Sequence, residues 1–182
     1  MDLIKSVIDN DLEAVKAFPA DQLQDSAFDE YNTSVLNIAA GRGFTDVIKA
    51  LIEKGLDPSH SNNFNYSPLM SAACNDQTEC LNTLLDSGAD IDKSDNSGKQ
   101  ALHYACESGS FETISNLVYA GADVNKTTEE KLTPSIYLMF NENPDTIKEA
   151  IELFRDYEAD FGFKDKSGKS ALDYAKEKGI EL

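Results

Sequence analysis

The sequence predicts an all-α solenoid of stacked helix–turn–helix units. A period of 33 residues runs along the chain, and apolar residues recur at helical spacing inside each period. The clearest copies are Ser67-Pro68-Leu69-Met70-Ser71-Ala72-Ala73 and Gln100-Ala101-Leu102-His103-Tyr104-Ala105-Cys106. Each precedes a second apolar run and then Gly88-Ala89-Asp90 or Gly121-Ala122-Asp123. A unit this small cannot bury a core alone, so each must stack on its neighbours.

The register sets the unit boundaries. Steps of 33 from Ser34 reach Ser67, Gln100 and Thr133, and one step back reaches Met1. The next copy, Ser170-Ala171-Leu172-Asp173-Tyr174-Ala175, lies 37 residues beyond Thr133. The expected division is a capping unit at 1–33, repeats at 34–66, 67–99 and 100–132, an enlarged repeat at 133–169 and a half-unit at 170–182. These motifs resemble the ankyrin repeat across essentially the whole chain. The resemblance implies a helix pair and a β-turn finger in each unit, in an array that recognises other proteins.

The first unit lacks the motif but keeps an apolar run, Leu3-Ile4 and Val7-Ile8, and Pro19 ends its second helix. The link from Ala20 to Asn32 is expected to form an irregular first finger. In the next unit Leu36, Ile38, Ala39 and Ala40 mark an inner helix, whose paired alanines allow close approach. Gly41-Arg42-Gly43 ends that helix and is not a phosphate loop. Val47, Ile48, Leu51 and Ile52 form the apolar face of its partner, with Thr45 placed to cap it and Gly55 suited to a left-handed end. Asp/Asn/Ser/Gly stretches such as 92–98 supply the turns between units.

The unit from Thr133 departs from the pattern. Ser135 takes a core-leucine position, and Leu138-Met139 replace small residues. Its second helix is expected to gain four residues near 141–145, about 6 Å or one turn. Asn143 as cap and Pro144 in the first turn would start that helix well. Ile147, Ile151 and Phe154 form its expected buried stripe, with Tyr157 as a candidate extension. The polar helix after Ser170, with Lys176, Glu177 and Lys178, suits the end of a stack, although the chain is also readable as a piece of a longer one.

The 33 acidic residues against 16 basic ones give a net charge of −17. A field of this sign repels phosphate backbones and anionic membranes and favours a basic protein partner. No signal peptide or run of about 20 apolar residues is present, which points to a cytoplasmic protein without membrane spans. Cys74, Cys80 and Cys106 read as reduced thiols, and Cys106 as a small core residue.

Little in the sequence suggests catalysis, and neither a metal nor a cofactor is expected. By the resemblance, His103 braces its turn by hydrogen bonds, and His60 is a lone loop histidine. The two histidines and three cysteines have no metal-ligand spacing. Asp57, Asp90, Asp123 and Asp160 recur after helix ends, which points to turn stabilisation rather than a paired acid and base.

The resemblance places partner binding on a concave face of finger tips and inner-helix ends. The fingers contribute Glu30, Tyr31 and Thr33, then Asn63, Phe64 and Tyr66, then Asn96, Ser97 and Lys99, then Glu129, Glu130 and Leu132. Inner-helix ends add Arg42, Asn75, Glu107, Ser108, Phe140 and Asn141. An adaptor, a dedicated inhibitor of a basic enzyme, a targeting domain of a larger enzyme and a self-assembling element all fit this frame. The chain is expected to be monomeric when free.

Tyr31 and Phe64 share a repeat position, and Tyr66 follows closely, so the three rings are candidates for one aromatic anchor rimmed by Asp29, Glu30, Glu129 and Glu130. Replacing all three rings with alanine should then weaken partner binding by more than about twofold, as read by a binding titration. An unchanged affinity would remove the anchor.

Overall fold

A computed structural model describes residues 2–23 and 30–180, and these fold into two parallel rows of helices with no strand among them. The inner row is α1 (Leu3–Ile8), α3 (Val35–Arg42), α5 (Pro68–Cys74), α7 (Ala101–Ser108), α9 (Pro134–Leu138) and α11 (Ala171–Lys178). The outer row is α2 (Leu12–Ala17), α4 (Thr45–Glu53), α6 (Thr78–Asp86), α8 (Phe111–Tyr119) and α10 (Pro144–Asp156). From α1 to α10 each helix packs on the partner in its own unit and on its counterpart in a neighbouring unit, and α11 packs on α9. Part of the expected first finger, with Asp29, lies outside the described residues.

Local chemistry starts and stops these helices. Ser34, Ser67, Thr133 and Ser170 cap the inner helices by accepting the amides of Asn37, Met70, Ile136 and Asp173. Left-handed residues end the helices in register. Asn10, Gly43, Asp76 and Gly109 follow the inner helices, and Gly55, Gly88, Gly121 and Glu158 follow the outer ones. In the fingers the left-handed position is Asn32, Asn65, Gly98, Lys131 and Gly168. A Cβ on Gly98 would lie 3.1 Å from the Thr128 backbone, so the close approach of the next finger also requires glycine there.

The core runs unbroken between the rows. Leu36, Leu69, Leu102 and Ile136 from inner helices meet Ile48, Leu51, Leu81, Leu84, Ile114 and Leu117 from outer ones, and all are essentially fully buried. Burying a side chain of this kind contributes about 1.5–3 kcal/mol. Ala39, Ala40, Ala72, Ala73 and Ala105 are equally buried and let successive inner helices approach closely.

Three expectations are corrected. Thr45 does not cap α4 but is its first residue, and its hydroxyl instead pairs with the Cys80 Sγ of the next unit at 3.3 Å. Tyr157 does not join the buried stripe of α10: it follows the helix end, is 43% exposed, and its ring lies 6.3 Å from that of Tyr119. The extra turn of α10 is not at its start. Asn143 and Pro144 stand 33 residues after Ser110 and Phe111, whereas Asp156 stands 37 after Tyr119, so the four added residues lengthen the helix towards its C-terminal end. Before it, Leu138 and Met139 fill the space of the usual small pair, and bonds from the Met139, Phe140 and Asn141 amides to carbonyls three residues back tighten the end of α9.

His103 ties the start of α7 to the loop before the fourth finger. Its Nδ1 accepts the Gln100 amide at 3.0 Å, which places the proton on Nε2, facing the Lys126 carbonyl at 3.1 Å. Burial lowers its pKa from 6.5 to about 4, against the opposing effect of its backbone hydrogen bonds. Below pH 6.5 the unfolded chain takes up a proton that the folded ring refuses. Stability from this group is therefore complete above pH 6.5 and falls as the pH drops towards 4, by up to about 3 kcal/mol. Urea unfolding from pH 7.5 to about 5 should show this fall in the natural chain and little of it in His103→Gln. Equal slopes would exclude His103 as its source.

Candidate functional site

The fingers are joined tip to tip by backbone hydrogen bonds. The amides of Asn63, Asn96, Glu129 and Lys166 donate to the carbonyls of Tyr31, Phe64, Ser97 and Glu130, at 2.8, 3.0, 2.9 and 3.1 Å. This ladder continues to a fifth finger, residues 165–169, which the count of four fingers missed. The signal was present in the sequence: Asp165-Lys166-Ser167-Gly168-Lys169 repeats Asp95-Asn96-Ser97-Gly98-Lys99.

The third and fifth fingers share one construction. Asp95 Oδ1 accepts the Ser97 amide, the Ser97 hydroxyl and the Lys99 amide at 2.8–2.9 Å, and its Oδ2 accepts the Tyr104 hydroxyl at 2.6 Å. Asp165 accepts the corresponding bonds from Ser167, Lys169 and Tyr174, the last at 2.7 Å. Burial pushes the Asp95 carboxyl up, but bonds from Tyr104, Ser97 and Lys99 outweigh it and hold the group below the ordinary carboxylate range. The tyrosine responds in the opposite sense, raised by burial and by Asp95.

A lysine from each of these fingers lies against the inner helix. Lys99 Nζ is 2.9 Å from Glu107, 5.0 Å from the Tyr104 ring centre and 4.6 Å from that of Tyr137. Lys169 Nζ is 2.7 Å from Glu177 and 5.1 Å from the Tyr174 ring centre. Burial alone would pull the Lys99 ammonium down, yet Glu107 and Tyr137 raise it above its ordinary value. Tyr66 meets Tyr104 edge-on at 5.3 Å, Tyr137 meets Phe140 at 6.1 Å, and Phe140 meets Tyr174 at 5.3 Å. An aromatic stripe with two lysines on it thus runs from Tyr66 to Tyr174.

The structure divides the three candidate anchor rings. Tyr31 and Phe64 lie 5.4 Å apart at exposed finger tips, whereas Tyr66 is half-buried in the stripe and donates its hydroxyl to the Met70 carbonyl at 3.3 Å. Thr33 is half-buried, and Glu30 accepts the Asn63 side chain through its carbonyl at 3.3 Å. Asn96, Ser97, Glu129 and Glu130 are exposed at the tips, and Glu130 pairs with Lys166 at 3.0 Å. Leu132 is half-buried beside the stripe. Four inner-helix residues make links between or within units. Arg42 donates to the Ile8 carbonyl, Asn75 to that of Ser71, and Ser108 to that of Ala73. Asn141 is buried, donates to the Glu107 carbonyl at 3.4 Å and offers its own carbonyl to Lys178. Tyr104, Tyr137, Tyr174, Lys169 and Glu177 were not among the sequence candidates.

The acidic residues mostly lie elsewhere. Glu13, Asp46, Glu79, Glu112 and Asp145 recur at strict spacings of 33 in the first turn of every outer helix, where a negative charge complements the helix dipole. Asp57, Asp90, Asp123 and Asp160 each accept a backbone amide two residues on. Among the described residues no helix is long and apolar enough to cross a membrane.

Comparison with known proteins agrees with this architecture. The ankyrin-repeat family matches in three copies, over residues 3–95, 36–128 and 102–181, and the chain belongs to that family. A comparison with curated proteins finds no match. Ankyrin repeats are in general modules of protein–protein interaction, and the family is typically non-catalytic.

The Asp95 cluster yields a direct test. Asp95→Ala leaves the Tyr104 and Ser97 hydroxyls and two backbone amides without their acceptor, and should lower the unfolding free energy by about 2–3 kcal/mol. Asp95→Asn keeps an acceptor oxygen and should cost less. Urea denaturation of both checks the order, and equal losses would mean that charge and geometry at Asp95 contribute nothing separable.

Proposed function

We propose that this chain is a non-catalytic docking module, acting as an adaptor or scaffold that recognises a partner protein through its fingers and inner helices. The observation that carries this reading is the stripe from Tyr66 to Tyr174, in which aromatic rings and ion-paired lysines line one face in repeat register. Aromatic residues are preferred interface anchors, and the packed inner helices present most of these rings with little freedom to lose on binding.

The net charge of −17 supports a partner with a basic surface and disfavours nucleic acid. Much of that charge stabilises helix ends and turns, so its effect on the partner is chiefly long-range steering. A dedicated inhibitor of a basic enzyme is the second reading, and the same field supports it. A steep fall of association rate with salt is expected of the inhibitor, and a flat response would count against it.

Affinity capture from source-cell lysate, with mass-spectrometric identification, tests the face. The baits are the natural chain, a Tyr66→Ser/Lys99→Ala variant and an outer-helix control, Glu112→Lys. Natural and control baits should recover the same positively charged protein, and the face variant should recover at least about tenfold less, a loss of about 1.4 kcal/mol. Equal recovery by all three would move binding off this face.

A further inference from the structure

The fourth finger and the helix after it break a pattern that their neighbours share. At the third and fifth fingers a lysine rests on a tyrosine ring of the following inner helix and is held by a carboxylate of that helix: Lys99 with Tyr104 and Glu107, Lys169 with Tyr174 and Glu177. After the fourth finger the ring is kept as Tyr137, but Leu132 stands at the lysine position and Phe140 at the glutamate position. Phe140 is 47% exposed while touching Tyr137 and Tyr174. Its ring therefore faces solvent between two carboxylates, one unit away on either side, at about 10 Å per unit.

This face already holds two cations on aromatic rings, Lys99 on Tyr104 and Tyr137 and Lys169 on Tyr174, and the exposed Phe140 ring packs between Tyr137 and Tyr174. We propose that Phe140, flanked by Glu107 and Glu177, is the docking point for a cationic side chain, arginine, on the partner. The inference rests on the reading above that this face recognises a protein. A planar guanidinium stacks on an aromatic face and still directs N–H groups outward to carboxylates. Glu107 and Glu177 are half-exposed, and a carboxylate bound to one lysine keeps lone pairs for a second donor. The charge of −17 acts in the same direction. An aliphatic anchor fits less well, because seating it would strip water from both flanking ion pairs and give them nothing in return.

Selection of phage-displayed random dodecapeptides on the immobilised natural chain, followed by titration of the recovered synthetic peptides, reads the chemistry of the occupant. Recovered peptides should share an arginine whose replacement by alanine weakens binding at least about fivefold. Phe140→Leu keeps the apolar area and loses the ring, so it should weaken binding similarly, while Phe140→Tyr should stay within about twofold. Thermal melting confirms that both variants fold. An aliphatic consensus that binds Phe140→Leu undiminished would overturn the proposal, as would failure to enrich any peptide. Peptides that depend on Tyr66 and Lys99 but ignore Phe140 and carry no arginine would overturn it and leave the face's function standing. Peptides indifferent to every substitution on the face would overturn both.

Discussion

No unit of this protein can close a core alone, because a pair of helices of 5 to 13 residues has too little apolar surface to offset the entropy of ordering it. Stability has to come from the interface between units, and the sequence places apolar residues where successive units meet. Polar groups follow the same rule. Ser71 donates to the Asn37 carbonyl, Thr78 pairs with Thr113, and the Thr146 hydroxyl donates to the Gly109 carbonyl, each bridging neighbours 34 to 37 residues apart. Within one repeat, His103 adds a buried bond from α7 to the loop before the fourth finger.

That constraint also creates the face proposed for recognition. Stacking fixes the pitch, the finger ladder fixes the tips, and side chains at one repeat position then form a row along one face. The row Thr33, Tyr66, Lys99, Leu132 and Lys169 varies while the backbone beneath it does not. Variation there changes what the face can hold without changing how the units pack. Other acidic residues stand at the starts of outer helices and in the turns after them, while Glu107 and Glu177 lie on the stripe itself and hold its lysines.

Much of this architecture is legible from residue order. The period is visible because the same local problems are solved with the same residue types: a serine or threonine cap, a small pair for close helix approach, a glycine or asparagine where the backbone turns left-handed. Asn143 and Pro144 started α10 as their capping chemistry required. Thr45 shows where such reading stops. It is a good capping residue by type, but the adjacent unit offers its hydroxyl a partner in Cys80, and the helix begins one residue earlier than a cap would allow. Tyr157 fits the helical spacing of its stripe, yet the helix ends before it and turns the ring outward.

The sequence by itself determined the family and the helical repeat fold, since these depend on local spacing and on a repeat that counting reveals. Tertiary structure decided which aromatic residues share a surface. Tyr66 and Tyr104 lie 38 residues apart and Phe140 and Tyr174 lie 34 apart, and only the stacking of neighbouring units brings each pair of rings to 5.3 Å. Whether a side chain faces solvent or the next unit depends on how two units pack, and that is a property of neither unit alone.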